Sequence, residues 1–231
     1  MEEVFVIADV EVNVLFKNIK NTHLSVHPPD GRVTISAPLE MDIEKLKHYA
    51  ISKLGWIKKQ REKIITQPRE NSKLFITQES HYFLGQRYLL KILEVETGFG
   101  VELKQKDLIL RCCKNASYSE REQLINQFYK IQLKEIIEIF FKKYQSILNS
   151  DVAGFTIRMM KTKWGGYSKK TRKIIINTDL AKKPKHLIEY IVLHEMIHYF
   201  DPKHGKVFKT LMSKYMQNWE LRKKELNELP I

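Results

Sequence analysis

The run from His186 to His204, HLIEYIVLHEMIHYFDPKH, decides how the rest of the chain is read. Inside it, His194-Glu195-Met196-Ile197-His198 has the spacing H-E-x-x-H. On an α-helix two residues four apart lie about 6 Å apart along the axis and roughly 40° apart around it, so both imidazoles are presented to one point. Such a pair can clamp a metal ion. Glu195 lies about 100° round from His194, outside the same coordination shell but placed to hold and deprotonate a water there.

Taken as ordinary polar residues of an amphipathic helix, these three would be badly sited. Leu187, Ile188, Ile191, Val192, Leu193, Met196 and Ile197 make the segment apolar almost all round, the pattern of a helix buried in a domain interior. An ionised glutamate between two histidines is costly there unless a coordinating cation accompanies it. A catalytic zinc takes three protein ligands and leaves the fourth position to water. His204 is a candidate third donor, beyond an Asp201-Pro202 break that ends the helix and lets the chain turn back. Asp201 and Glu220 are the alternatives to it.

With 231 residues, 43% hydrophobic and 29% charged, the chain has the composition of a soluble globular protein of one large or two modest domains. No stretch approaches the ~20 apolar residues of a membrane span. The start, with Glu2, Glu3 and Asp9, lacks the basic region and apolar core of a signal peptide. A cytoplasmic protein with no membrane partner is expected. Cys112 and Cys113 are adjacent, where a bridge would be strained, and are read as reduced core or strand residues. The formal charge of +13 is concentrated upstream of the metal motif: Asp151 to Lys185 holds ten basic residues against two acidic ones, a net of +8. Such a stretch is either a solvated face or a field that draws an anionic partner, such as a nucleotide, a nucleic acid or an acidic peptide.

Alternating apolar runs from Val4 to Pro38, around the turn Pro28-Pro29-Asp30-Gly31, predict a β-rich opening with a hairpin that leaves His23 and His27 at a surface or edge. Asp42 caps one long helix reaching towards Pro68, with Trp56 in its core face. After a polar connection over 69–78, three or four strands follow, separated by Gly85-Gln86, Gly98 to Gly100 and Lys106-Asp107. Ser119 opens a helix to about Leu148 whose apolar face includes Phe128, Ile131, Leu133, Ile139 and Tyr144. GFTIRMMK and RKIIINT read as strands around TKWGGYSKKT, and Pro184 stands near the first turn of the metal helix. An amphipathic helix through Phe208 and a charged one from about Trp219 to Leu229 close the chain. This order predicts an α+β fold with a β-rich part over 1–115, carrying one inserted helix, and a catalytic part over 116–231.

Two motifs at this spacing, MKTKWGGYS from Met160 and HEMIHYFDPKHGKVF from His194, resemble the YgjP-like metallopeptidase family of metal-dependent hydrolases. DGRVTISAP and LGWIKKQ extend the likeness over nearly the whole chain. The resemblance implies a minimal zincin, with a backing helix, a small sheet and an HExxH helix, preceded by a β-rich N-terminal part. It implies His194, His198 and His204 as ligands of one Zn2+ per chain and Glu195 as the catalytic acid/base. The family's tryptophan-glycine motif falls on Trp164 and Gly165, and its asparagine after the second strand on Asn177. Its usual arginine and serine-cysteine are replaced here by Lys163 and by Gly166-Tyr167.

The chemistry expected of such a site is hydrolysis by a zinc-activated water with Glu195 as general base. Charge developing on the attacked oxygen needs a donor, for which Lys161, Lys163, Tyr167 and Tyr199 are candidates. Lys161, Lys163, Trp164, Tyr167 and Asn177 are the expected substrate contacts. Peptide hydrolysis is the leading function. The alternative is a nucleoside triphosphate pyrophosphatase that uses 158–185 as a phosphate cradle. A nucleic-acid-binding protein with structural zinc is the third, disfavoured because such a site wants a fourth protein ligand.

Overall fold

The computed structural model describes residues 2–66, 72–160 and 162–229. The chain forms two compact units, Met1–Arg69 and Glu70–Ile231. The Pro68 boundary, the start of the connection expected over 69–78 and the candidate contact Lys161 lie outside the described residues.

In the first unit, strands β1 (Glu2–Ile7), β2 (Val10–Lys17), β3 (His23–His27) and β4 (Arg32–Pro38) form a sheet in the order β1-β2-β4-β3. The central pair β2/β4 is parallel and the outer pairs are antiparallel. Period-two alternation sends Val10, Val12 and Val14 of β2 inward, against Leu46 and Ala50 of helix α1 (Ile43–Ser52) and Ile57 of α2 (Leu54–Thr66). His23 and His27 fall on the edge strand β3. Asp42 caps α1 by accepting from the Glu44 N–H at 3.1 Å, as the sequence suggested. The single helix expected after it is two. The Lys53 N–H bonds back to Ala50 and closes the first, while Ile57 N bonds Lys53 O to start the second. The break turns Trp56 outward, 45% exposed, and leaves Ile57 as the buried residue of α2.

The second unit opens with β5 (Ser80–Phe83), β6 (Gln86–Glu94), β7 (Gly100–Lys104) and β8 (Asp107–Cys112), ordered β5-β6-β8-β7. The long helix α3 (Tyr118–Leu148) follows, then β9 (Gly154–Arg158), β10 (Gly165–Ser168) and β11 (Lys173–Asn177), ordered β10-β11-β9. A 3₁₀ turn, Thr178–Lys182, leads into α4 (Lys185–Ile197), α5 (Lys206–Tyr215) and α6 (Trp219–Glu228). The fold is therefore α+β, with six α-helices and three small sheets among the described residues. No helix among them is long and apolar enough to cross a membrane.

The division between units falls at 69/70 and not at 115/116 because the middle sheet shares its core with the helices. Phe83, Leu90, Leu108 and Leu110 bury in one cluster with α3 and α4, and the Tyr129 hydroxyl of α3 donates to Tyr82 O at 2.9 Å. Cys112 is buried in that cluster and Cys113 packs at its edge, both as free thiols. The cap of helix α3 is Ser117, two residues earlier than Ser119. Ser117 and Glu120 form a capping box, each side chain taking the other's backbone N–H. Its inner face backs α4, which is apolar all round, while Ile131 and Ile139 point outward. Leu133→Ala should therefore lower stability by about 2–5 kcal/mol, since Leu133 is fully buried, whereas Ile131→Ala, at a position 49% exposed, should cost well under that. Denaturant midpoints of the two variants check the orientation of the helix.

Candidate metal centre

Helix α4 begins after Pro184, whose missing N–H is one that no helix start could use. It ends at Ile197 with His198 as its C-cap, and the Asp201 N–H still bonds Ile197 O. The Asp201 carboxylate then folds the chain back, accepting from Lys203 N at 3.0 Å and from Phe208 N at 3.2 Å. Gly205 fits this turn because a Cβ there would lie 2.8 Å from Asp201 Oδ2. The turn returns His204 to the helix, with its Nε2 3.0 Å from that of His194. The three ring centroids stand 5.0, 4.9 and 4.9 Å apart, and one nitrogen of each imidazole lies within 4.8 Å of the others.

Neighbours set the orientation of these rings. His198 Nδ1–H donates to Asp201 O at 2.9 Å, which leaves Nε2 as the nitrogen available to a metal. His194 Nδ1 lies 3.3 Å from the buried Tyr190 hydroxyl, one helical turn earlier. Phe208 lies beneath all three, 4.8, 5.2 and 4.6 Å from the rings of His194, His198 and His204. Burial pushes His194 down to about 3, with repulsion from His198 and His204 acting in the same direction, so its imidazole is neutral at pH 7. Three imidazoles, with no fourth protein donor beside them among the described residues, form a set that could hold a divalent metal and leave a coordination position open. Asp201, an alternative third donor, spends its carboxylate on the turn.

Glu195 is only 5% exposed, and Gly165 of β10 packs against it so closely that a Cβ would lie 2.8 Å from Oε1. Burial pushes its carboxyl up to about 8, against the opposing pull of Lys163. Around it opens a cleft of about 540 Å³ lined by Lys163, Gly165, Gly166, Tyr167, Lys169, Pro202, the three histidines and Glu195.

The family comparison follows this geometry. The description "YgjP-like, metallopeptidase domain" matches residues 20–229. The chain belongs to the YgjP-like family. This makes it a metal-dependent hydrolase of the metallopeptidase kind, which works with a divalent metal. No curated protein matches it. Among solved structures it is similar to the metallopeptidase zymogen abylysin of Pyrococcus abyssi, at 18% identity and a TM-score of 0.37, over 39% of this chain and 90% of that one. It is also similar to the zymogen jannalysin of Methanocaldococcus jannaschii, at 24% identity and a TM-score of 0.33, over 41% and 95%.

In this YgjP-like domain the expected substrate contacts divide. Lys163 and Tyr167 line the cleft, and Tyr199 stands 6.4 Å edge-on from Tyr167. Trp164 and Asn177 are not among the lining residues. Trp164 takes the Lys183 ammonium over its ring at 5.4 Å. Asn177, 1% exposed, donates to Met160 O and Lys163 O and accepts from Met160 N and Asp179 N, so it clamps the loop before β10. A side chain so fully engaged has nothing left for substrate. The basic stretch does not gather into one cradle either. Arg172 pairs with Asp151, Lys182 with Asp179, and Lys185 lies over Phe140, which leaves Lys163 and Lys169 as its members in the cleft. Tyr190 was not singled out in the sequence, although it lies one helical turn before His194 on the same face of α4, a spacing readable there.

Two outcomes are expected. Gly165→Ala must displace the Glu195 side chain, so turnover should fall about 100-fold with metal content unchanged, the scale of loss for a 1 Å misplacement. In chelator-treated protein the folded Glu195 carboxyl, near 8, binds its proton more tightly than in the unfolded chain, near 4.5. Stability should fall as pH rises from about 4.5 to 8, and Glu195→Gln should remove that part of the slope in thermal melts.

Proposed function

We propose that the domain is a zinc peptidase in which His194, His198 and His204 hold the metal and Glu195 is the general base and acid. The observation that carries this reading is the convergence of three imidazole nitrogens on one point, with a buried carboxylate on the residue next to His194 in the same helix. Nitrogen donors with hydrogen-bonded second nitrogens suit zinc. A zinc ion bound there would supply Lewis acidity towards a substrate carbonyl and acidify a water.

The chain's own residues do the rest. Tyr190 and the Asp201 carbonyl hold the Nδ1 sides of His194 and His198, so that both rings keep one tautomer. Gly165 leaves the Glu195 carboxylate against the strand that borders the cleft, where it takes a proton from the attacking water and returns it to the leaving nitrogen. Burial keeps bulk water from competing for that proton. Tyr167 reaches into the same cleft and is the group available to meet charge developing on the attacked oxygen. The nucleoside triphosphate reading would rest on two cleft lysines in place of an extended cradle, and the peptide reading is preferred for that reason.

The deciding assay sets casein beside a panel of nucleoside triphosphates with zinc-loaded protein. Cleavage of casein is expected, and release of phosphate or pyrophosphate without cleavage would sink the peptidase. Glu195→Gln should keep its zinc and lose at least about 1000-fold in turnover, given the usual worth of a general base; retained activity would remove Glu195 from that role. His204→Ala should lower zinc content after dialysis, and unchanged content would move the third ligand elsewhere.

A further inference from the structure

The cleft carries a charge pattern that hydrolysis by itself does not need. Lys163, in the loop before β10, and Lys169, in the turn after it, line the cleft together with Gly165 and Tyr167 of the strand. Gly165 marks the position of the Glu195 carboxylate along that strand. One lysine therefore stands just before β10 and the other just after it, at opposite ends of the strand that carries Gly165.

Both lysines are exposed, and among the described residues neither forms an ion pair. Four of their basic neighbours are committed elsewhere: Arg172 to Asp151, Lys182 to Asp179, Lys183 to Trp164 and Lys185 to Phe140. The cleft offers no balancing acid, since Glu195 is the one carboxylate among its lining residues and is buried. Two uncommitted cations thus border the reacting point on opposite sides. An extended peptide crossing the cleft passes both, and carboxylate side chains on it would gain an ion pair at each.

We propose that the cleft selects peptides carrying an acidic side chain on each side of the scissile bond, met by Lys163 on one side and Lys169 on the other. This rests on the peptidase reading above, and the experiment separates the two. Three labelled peptides share one sequence, except that the residues two to four positions from the cleaved bond on both sides are glutamate, glutamine or lysine. The metal-loaded protein is assayed for kcat/KM on each, and Glu195→Gln protein for Kd by fluorescence anisotropy, with a nucleoside triphosphate as competitor.

The glutamate peptide should be preferred over the glutamine one by about fivefold per lysine in both measurements, the upper range for an exposed ion pair. Lys163→Glu and Lys169→Glu should each remove one of these steps and favour the lysine peptide on that side. Lys163→Gln and Lys169→Gln, which delete charge without reversing it, should bring the glutamate and glutamine peptides together. Both positions are exposed, so melting temperatures should stay put. Equal Kd and kcat/KM for the three peptides would overturn charge selection and leave the peptidase standing. Triphosphate turnover with no peptide cleaved, together with triphosphate binding lost in the lysine variants, would overturn both. The binding measurement decides about the lysines whether or not any peptide is turned over.

Discussion

A carboxylate that is 5% exposed has to be neutral, paired or close to a cation, and the centre of this molecule is arranged around that constraint. Glu195 cannot leave the interior because its helix is apolar on every side, with Leu187, Val192, Leu193, Met196 and Ile197 fully buried around it. It is held on one flank by the bare backbone of Gly165, and the histidines on either side of it in the HExxH spacing turn towards the cleft. The pKa near 8 measures what the burial costs when no cation shares the site. A metal held by the three imidazoles would relieve that cost, which ties the proposed chemistry to the stability of the helix that bears it.

The scaffolding serves to keep that helix still. Helix α3 lies behind it, with Leu133, Ile137 and Tyr144 in the shared core, and the Tyr144 hydroxyl, Lys143 and Arg222 all bind the Glu189 carboxylate on the outer side of α4. The turn between β5 and β6 braces its entry: Leu84 N and Gly85 N bond the carbonyls of Ala181 and Lys182, and Gly85 approaches Pro184 so closely that a Cβ would lie 2.8 Å from its ring. That docking explains why the middle sheet belongs with the helices. A strand pair that fixes the start of the metal helix cannot sit in a separate unit from it.

Much of this was legible in the chain. The H-E-x-x-H spacing, the apolar ring of residues around it and the Asp201-Pro202 stop are local patterns, and a helix translates such patterns into geometry almost without outside help. The strands β9 and β11 and the long backing helix were readable from local pattern too, whereas TKWGGYSKKT, read as turn-like, contains a third strand, β10, whose glycine-rich run carries no alternation. What misled was equally local. Trp56 and Ile57 are neighbours, and only the break at Lys53 decided which of them faced inward. Ile131 and Leu133 both fit an apolar face that was drawn too wide for the surface it meets. Trp164, beside Gly165, and Asn177, after the following strand, were expected as substrate contacts; neither lines the cleft, and Asn177 holds the loop before β10 through Met160 O and Lys163 O.

The sequence by itself determined the elements, the pairing of His194 with His198 and the family to which the chain belongs, because these depend on spacings within a few turns of helix or along most of the chain's length. Tertiary structure decided how His204 comes back to within 3.0 Å of His194, that Gly165 lies on Glu195, and which of the described basic residues between Asp151 and Lys185 line the cleft. Those outcomes rest on contacts between segments distant in the chain. No periodicity encodes them, because they arise only when the small sheet, the metal helix and the turn at Asp201 are packed against one another.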